Sequence, residues 1–244
     1  MLGHDGARPR LLRPLGGLLL DMGDVIHDTT VWRRWLTRLL ARTGLVGPRA
    51  KGEDFFRVWD RQYLGDVCRG RREFCEAFRA FLVSFGLTPA QVDEVDRACQ
   101  ARRRWLEADS QPLPGVRATL ARLAEAGITL GVLTNSEHPS SALEEQLERF
   151  GLGGMFASVI SSQDLGQVMP EPAGYFRSLR AMKLRAEEAA FVGHDAAGLS
   201  GAAETGMQTI AFNYDADVAA DVHLARFEEL LDLVGARSPY RAAG

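Results

Sequence analysis

The chain has 244 residues, of which 46% are hydrophobic and 25% are charged. This balance is that of an ordinary globular protein, and the length allows one α/β core with a smaller insertion. The formal net charge of −3 gives no reason to expect binding to nucleic acid or to a membrane surface. The apolar run at residues 11–20 is too short to span a bilayer and lacks the layout of a signal peptide.

The first predicted element is a buried strand at residues 17–22, a short apolar run that includes an acid. Residues 29–110 are then predicted to be mostly helical, because aromatic and aliphatic side chains recur there at helical spacing. The clearest stripe consists of Phe74, Phe78, Phe81, Leu82 and Phe85. A stripe of this kind is more typical of a hydrophobic core than of a cofactor site.

From residue 112 onward, helices and strands are predicted to alternate. The helices are expected at 116–126, 142–150, 175–182, 200–206 and 227–234, and the strands at 128–133, 156–160, 189–192 and 209–212. This alternation predicts an α/β fold with a doubly wound parallel sheet, covered by helices on both faces. The predicted core comprises residues 1–28 and 111–244, and residues 29–110 form an inserted helical cap.

Ligands of such sheets bind at the carboxyl ends of the strands, near the switch point of the strand order. Asp21, Thr134 and the segment after Val192 are therefore the places where a site is expected. The cysteines, Cys68, Cys75 and Cys99, are few and follow no CxxC spacing. Reduced thiols in a cytoplasmic protein are the expectation, rather than a disulfide framework.

The predicted cap is rich in arginine. Residues 31–110 contain 16 Lys+Arg against 11 Asp+Glu. Two interpretations stay open: the arginines belong to solvated helix faces, or they attract an anionic ligand.

Four segments, in this order, resemble the motifs of the haloacid dehalogenase superfamily. They are LLLDMGDV at residues 18–25, GVLTNS at 131–136, GQVMPEP at 166–172, and FVGHD with the following glycines at 191–207. The position of the insertion resembles the subclass with a helical cap. The resemblance implies a Rossmann-like core and a hydrolase, usually a Mg²⁺-dependent phosphatase that acts on a small anionic molecule.

The resemblance also assigns roles to individual residues. Asp21 occupies the position of the nucleophile, which forms a covalent intermediate. Four residues occupy positions that bind the phosphoryl group: Met22, Gly23, Thr134 and Asn135. The cap stretch that faces the active site in capped relatives implies a substrate contact for Arg69, Arg71 and Arg72.

Three positions depart from the family pattern. Gly23 replaces the aspartate that acts as general acid and base, Met169 replaces a lysine, and His194 replaces a magnesium-binding aspartate. Asp24 and Asp195 are neighbours that could take over the missing acid and ligand. A bound metal would be held by Asp21, Gly23, His194 and Asp195, although imidazole suits zinc, nickel or copper better than magnesium.

Three functional hypotheses follow. The first is a degenerate member with weak or no Mg²⁺-dependent phosphatase activity, because the general acid, the lysine and the metal ligand are all missing. The second is an active hydrolase with an altered mechanism that acts on a small phosphorylated metabolite. The third is metal-free chemistry of the 2-haloacid dehalogenase type, which tolerates Gly23 and His194 but not Met169. The sequence leaves the oligomeric state open.

Overall fold

The computed structural model describes residues 14–44 and 52–235. Six parallel strands form one sheet in the order β3-β2-β1-β4-β5-β6. They are β1 (Gly17–Leu20), β2 (Thr129–Thr134), β3 (Phe156–Ser161), β4 (Ala189–Gly193), β5 (Gln208–Phe212) and β6 (Val222–Leu224). β1 lies at the centre, where Leu20 is paired with Val132 on one side and Val192 on the other. The predicted doubly wound parallel sheet is confirmed.

The insertion between β1 and β2 begins with helices that pack on one another. They are α1 (Thr30–Thr43), α2 (Gly52–Trp59), a π-helical stretch (Asp60–Leu64), α3 (Gly65–Cys68), α4 (Phe74–Ser84) and α5 (Pro89–Asp109). Their core contains the predicted aromatic stripe, in which Phe78 and Phe81 are fully buried. α5 begins with a capping box, which Thr88 and Gln91 form around Pro89. Residues 29–110 therefore have a hydrophobic core of their own.

The remaining helices cover the two faces of the sheet. They are α6 (Val116–Glu125), α7 (Ser140–Arg149), α8 (Ser162–Leu165), α9 (Ala173–Met182), α10 (Ala196–Glu204) and α11 (Glu229–Gly235). Alternate residues of a strand point to opposite faces, so Leu18 and Leu20 belong to one hydrophobic cluster and Leu19 to the other. Burial on both faces explains why the strand sequences are almost continuously apolar.

Among the elements that the sequence did not predict are α8 and β6. Each has four residues or fewer, which is too short for a periodic pattern to appear. Several helices also begin before their predicted starts. α10 begins at Ala196 because Asp195 caps it, accepting a hydrogen bond from the backbone of Gly198 at 2.6 Å. Among the described residues, no helix is both long and apolar enough to cross a membrane.

Helix α10 packs very closely on the segment before α9, and this contact gives a prediction. A Cβ atom added to Gly201 would lie 2.6 Å from the Tyr175 hydroxyl and 2.8 Å from the Pro170 carbonyl oxygen. We expect Gly201→Ala to lower the free energy of unfolding by about 2 kcal/mol, because overpacking outweighs the better helix propensity of alanine. Denaturant unfolding measures this difference.

Ser200→Ala, on the exposed side of the same helix, is the matched control and should change stability by less than about 0.5 kcal/mol. A Gly201→Ala variant as stable as this control would show that α10 does not approach Pro170 so closely.

Candidate functional site

Asp21 follows β1 and is held in place on several sides. Its backbone N–H donates to the Val192 carbonyl at 2.9 Å, which continues the pairing with β4. The residue is 5% exposed, and Oδ1 of its carboxylate accepts hydrogen bonds from the Met22 backbone at 2.7 Å and from Thr134 Oγ1 at 2.6 Å. The polar ends of two neighbouring strands thus lie together. Oδ1 of Asp21 is hydrogen-bonded, whereas Oδ2 faces His194.

His194 follows β4 and lies against the Asp21 carboxylate. Its Nδ1 is 3.5 Å from Asp21 Oδ2, and its Nε2 is 3.9 Å from both Asp24 Oδ2 and Asp195 Oδ2. A distance of 3.5 Å is long for a hydrogen bond, so the contact with Asp21 is that of an ion pair. Burial lowers the pKa of His194, but Asp21, together with Asp195 and Asp24, outweighs burial and raises this pKa to about 9. The imidazole is therefore a cation at neutral pH.

The carboxylate of Asp24, the predicted substitute for the missing acid, is hydrogen-bonded to the segment that leads into α1. Its carboxylate accepts hydrogen bonds from the Thr29 backbone at 2.9 Å and from Thr29 Oγ1 at 2.7 Å. Its φ of 56° places it in the left-handed region, and Asn213 donates to its carbonyl at 2.9 Å. Its role as general acid remains a prediction, and both carboxylate oxygens already have a partner in Thr29.

Gly23 and Met169 stand at two positions where the family resemblance implies charged side chains. A Cβ atom added to Gly23 would lie 3.1 Å from Thr29 Cγ2, so a longer side chain there requires a small shift of the threonine. Met169 is 6% exposed and belongs to the hydrophobic cluster that contains Leu133 and Tyr175. The thioether cannot supply the positive charge that a lysine would bring to a phosphate.

The side chain of Asn135 is hydrogen-bonded to the backbone of Met169. Its Oδ1 accepts a hydrogen bond from the Met169 N–H at 2.8 Å, and its Nδ2 donates to the Met169 carbonyl at 3.4 Å. This pair of bonds joins the loop after β2 to the loop before α9. Phosphoryl binding by Asn135 remains a prediction, and it would compete with these contacts.

A cavity of about 1130 Å³ lies between the helical insertion and the strand ends. Asp21, Thr134 and His194 line its core side, and Trp32 and Trp105 line its cap side. Eight carboxylates and three arginines belong to the lining: Asp21, Asp24, Asp28, Asp60, Asp109, Glu137, Asp195 and Asp215, against Arg33, Arg102 and Arg103. The cavity is therefore acidic in formal charge, which the arginine-rich sequence of the cap did not predict.

The predicted cap arginines lie elsewhere. Arg69 pairs with Glu171 at 2.7 Å, Arg71 approaches Asp66 at 3.8 Å, and Arg72 pairs with Glu76 at 2.9 Å. All three are outside the cavity lining, so their contact with a substrate stays a prediction without support from the cavity.

The arginines that do line the cavity were missed. Arg33 forms a two-pronged ion pair with Asp60, with distances of 2.7 and 2.8 Å. Arg103 pairs with Glu137, and Arg102 stacks on the Trp105 ring at 4.2 Å. Because two of the three arginines are paired with lining acids, they add little net positive charge to the cavity.

Contacts between the cap and the core hold the cap over this cavity. Arg69 and Arg103 reach core carboxylates on Glu171 and Glu137, and Ser162 Oγ donates to the Cys68 carbonyl at 2.7 Å. The cap is thus tied at two separate places, near α3 and near the C-terminal end of α5.

Among the described residues, one cluster has the composition of a metal site. Asp21, His194 and Asp195 each offer a ligand atom, and these atoms lie within 4.8 Å of one another. Magnesium, which the family resemblance implies, prefers an octahedral set of oxygen ligands. An imidazole in place of a carboxylate does not fit that preference, so no magnesium-dependent step is assigned to these residues.

Comparison with known proteins places this site in a family. The profile of the haloacid dehalogenase-like hydrolases matches residues 16–206. A phosphoglycolate phosphatase of Yersinia pseudotuberculosis is 32% identical over 137 residues, which cover 53% of this chain and 58% of the relative. One of Pectobacterium atrosepticum is 34% identical over 133 residues, which cover 51% and 56%. The chain thus spans little more than half the length of these relatives.

Structures of known proteins agree in fold. A HAD-superfamily hydrolase of subfamily IA from Geobacter sulfurreducens matches with a TM-score of 0.65 at 22% identity, covering 91% of this chain and 97% of that one. A 2-haloacid dehalogenase from Pseudomonas syringae matches with a TM-score of 0.58 at 24% identity, covering 91% and 99%. With its sheet order, its helical insertion and its match over residues 16–206, the chain belongs to the haloacid dehalogenase-like hydrolase family.

Proposed function

We propose that this chain is a degenerate phosphatase-type member of its family, with little or no Mg²⁺-dependent turnover of phosphate esters. In this proposal the cavity binds a small molecule, and the protein does not catalyse its hydrolysis. The observation that carries the proposal is the contact of the His194 imidazole with the Asp21 carboxylate at 3.5 Å. The positive charge of His194 thus neutralises the Asp21 carboxylate, which occupies the position of the nucleophile. In the family pattern, the position of His194 belongs to a metal ligand.

Electrostatics support this proposal. A phosphate dianion at Asp21 would meet the negative charges of Asp24 and Asp195, with one imidazolium between them. Two like unit charges 4 Å apart repel by about 4 kcal/mol near a protein surface, and one imidazolium does not offset the dianion together with the surrounding carboxylates. The missing lysine would have offset it, but Met169 is buried among apolar side chains.

The expected loss of rate is large. General acid–base help contributes about 10²–10⁴-fold, and one preorganised electrostatic partner contributes about 10²–10³-fold. These factors do not multiply, since the groups of one site act as a unit. The loss of even one of these contributions would reduce turnover far below that of an intact phosphatase.

The test is a panel of small phosphate esters that includes phosphoglycolate, with Mg²⁺, for the wild type and Asp21→Asn. We expect no Mg²⁺-dependent turnover that distinguishes the two proteins. Turnover by the wild type that disappears in Asp21→Asn would refute the proposal.

Such turnover would favour the second candidate, an active hydrolase with an altered mechanism that acts on a small phosphorylated molecule. One observation favours it: Thr134 and the Met22 backbone bind Oδ1 of Asp21, so that Oδ2 remains available as a nucleophile.

Dehalogenation of 2-haloacids without a metal is a third candidate, which release of halide would support. It is weaker, because the dehalogenases of the family also use the lysine that Met169 replaces.

A further inference from the structure

We propose that Asp21, His194 and Asp195 form a binding site for a borderline transition metal ion, Zn²⁺ or Co²⁺, in preference to Mg²⁺. This inference goes beyond the proposed function, because it concerns which ion binds and not whether a phosphate ester is hydrolysed.

The distance between the first two ligands suits such an ion. His194 Nδ1 and Asp21 Oδ2 are 3.5 Å apart. Two ligands that each lie 2.0–2.2 Å from a tetrahedral zinc ion are separated by about 3.4 Å. Nδ1 is shielded from solvent and has no hydrogen-bond partner in the structure, although it faces a carboxylate. A metal ion between the two atoms would displace the proton of the imidazolium and give both atoms a partner, so that binding releases a proton to solvent.

The carboxylates are prepared for this role by their other contacts. Oδ1 of Asp21 is occupied by Met22 and Thr134, and Oδ1 of Asp195 accepts the Gly198 N–H at 2.6 Å. The Oδ2 atoms of both residues remain, and both face His194. Supporting hydrogen bonds of this kind orient metal ligands and maintain their geometry.

The donor set decides between metals. One imidazole nitrogen with two carboxylate oxygens suits zinc, cobalt or nickel, whereas magnesium prefers oxygen alone. Three protein ligands on one side of the ion leave a position open to the cavity for water or a small molecule. In this interpretation His194 does not abolish the metal site but changes the class of ion that it selects.

The experiment is a calorimetric titration of the full chain, without an affinity tag, with Zn²⁺, Co²⁺ and Mg²⁺ separately. We expect one equivalent of Zn²⁺ or Co²⁺ to bind, and Mg²⁺ to bind at least about 10²-fold more weakly. The visible absorption bands of bound Co²⁺ give a second measurement, because their intensity and position report a low-coordinate site with a nitrogen ligand.

Two variants test the assignment. His194→Asp should weaken Zn²⁺ binding by at least about tenfold, since loss of a mere supporting partner already costs about 10–100-fold, and should strengthen Mg²⁺ binding. Asp21→Asn, which preserves the side-chain shape, should also weaken Zn²⁺ binding. The matched control is His138→Gln, another cavity histidine outside the cluster, which should bind Zn²⁺ like the wild type. Circular dichroism verifies that each variant is folded.

The inference is overturned if the wild type binds no Zn²⁺ or Co²⁺, or if it binds Mg²⁺ as tightly as Co²⁺. It is also overturned if folded His194→Asp and Asp21→Asn both retain wild-type affinity for Zn²⁺, since the ion would then lie elsewhere. Failure of the proposed function would instead be seen as Mg²⁺-dependent turnover, a separate measurement.

Discussion

Restoring the family's three side chains is expected to raise Mg²⁺-dependent phosphatase activity by at least about 10²-fold. The variant combines Gly23→Asp, Met169→Lys and His194→Asp. The first change supplies a general acid and base, worth about 10²–10⁴-fold, and the second supplies a cation beside the phosphate, worth about 10²–10³-fold. The third replaces the imidazole with an oxygen ligand that magnesium prefers. Because such groups act together, we expect each single change to have a much smaller effect.

The structure shapes the design of this variant. A Cβ atom at position 23 would lie 3.1 Å from Thr29 Cγ2, so Thr29→Ser is included to remove that methyl group. The serine hydroxyl can still donate to Asp24, as Thr29 Oγ1 does at 2.7 Å. The aliphatic stem of a lysine introduced in place of Met169 can pack among the same apolar side chains.

The assay measures release of inorganic phosphate from the same ester panel. Thr29→Ser alone is the control for the added change, and should show the same turnover as the wild type. Introducing Asp21→Asn into the restored variant should abolish the gained activity. A restored variant that is folded, binds Mg²⁺ and still hydrolyses nothing would mean that these three positions do not account for the inactivity that we propose.

The second large effect is a dependence of stability on pH that originates at His194. The pKa of this group rises from the usual 6.5 to about 9 in the folded protein. A raised pKa means that the folded state keeps its proton longer than the unfolded state, so the stabilisation is fully present below pH 6.5. It is lost as the pH increases towards 9, and the loss is at most about 3 kcal/mol.

Denaturant unfolding of the wild type and of His194→Gln across this pH range measures the effect. The difference in free energy of unfolding between the two proteins should shrink as pH rises, because only the wild type loses an imidazolium that is paired with Asp21. Other titrating groups are common to both proteins and cancel. A titration of the His194 ring protons by NMR should give an apparent pKa well above 6.5, and a normal value would contradict this prediction.

The sequence predicted the frame of the site well. The apolar strands and their alternation with helices were sufficient to place Asp21 and Thr134 at carboxyl ends of strands, which lie on one edge of a parallel sheet. The strand order of the structure makes β1 and β2 neighbours, so that the two side chains form a hydrogen bond of 2.6 Å. The departures from the family pattern at Gly23, Met169 and His194 rest on the resemblance of the surrounding motifs and stay predictions.

The cap was predicted in outline but not in its contacts. The aromatic stripe of α4 correctly indicated a hydrophobic core, because periodicity reports which helix face is buried. Which arginine reaches which acid depends on how the helices lie on one another. Arg69 meets Glu171 across 102 positions of the chain, and Arg103 meets Glu137 across 34. No local pattern encodes such partners.

By itself, the sequence determined the fold class and the identity of the family, because these depend on local apolar patterns and on residues within short motifs. The loss of catalytic side chains at Gly23, Met169 and His194 stays a prediction from the alignment of those motifs. The tertiary structure decided how the remaining groups interact. It placed the His194 cation against Asp21, engaged Asn135 with the backbone of Met169, and surrounded the cavity mainly with acids. These features depend on distances between side chains from separate elements, which exist only once the helices and strands have packed.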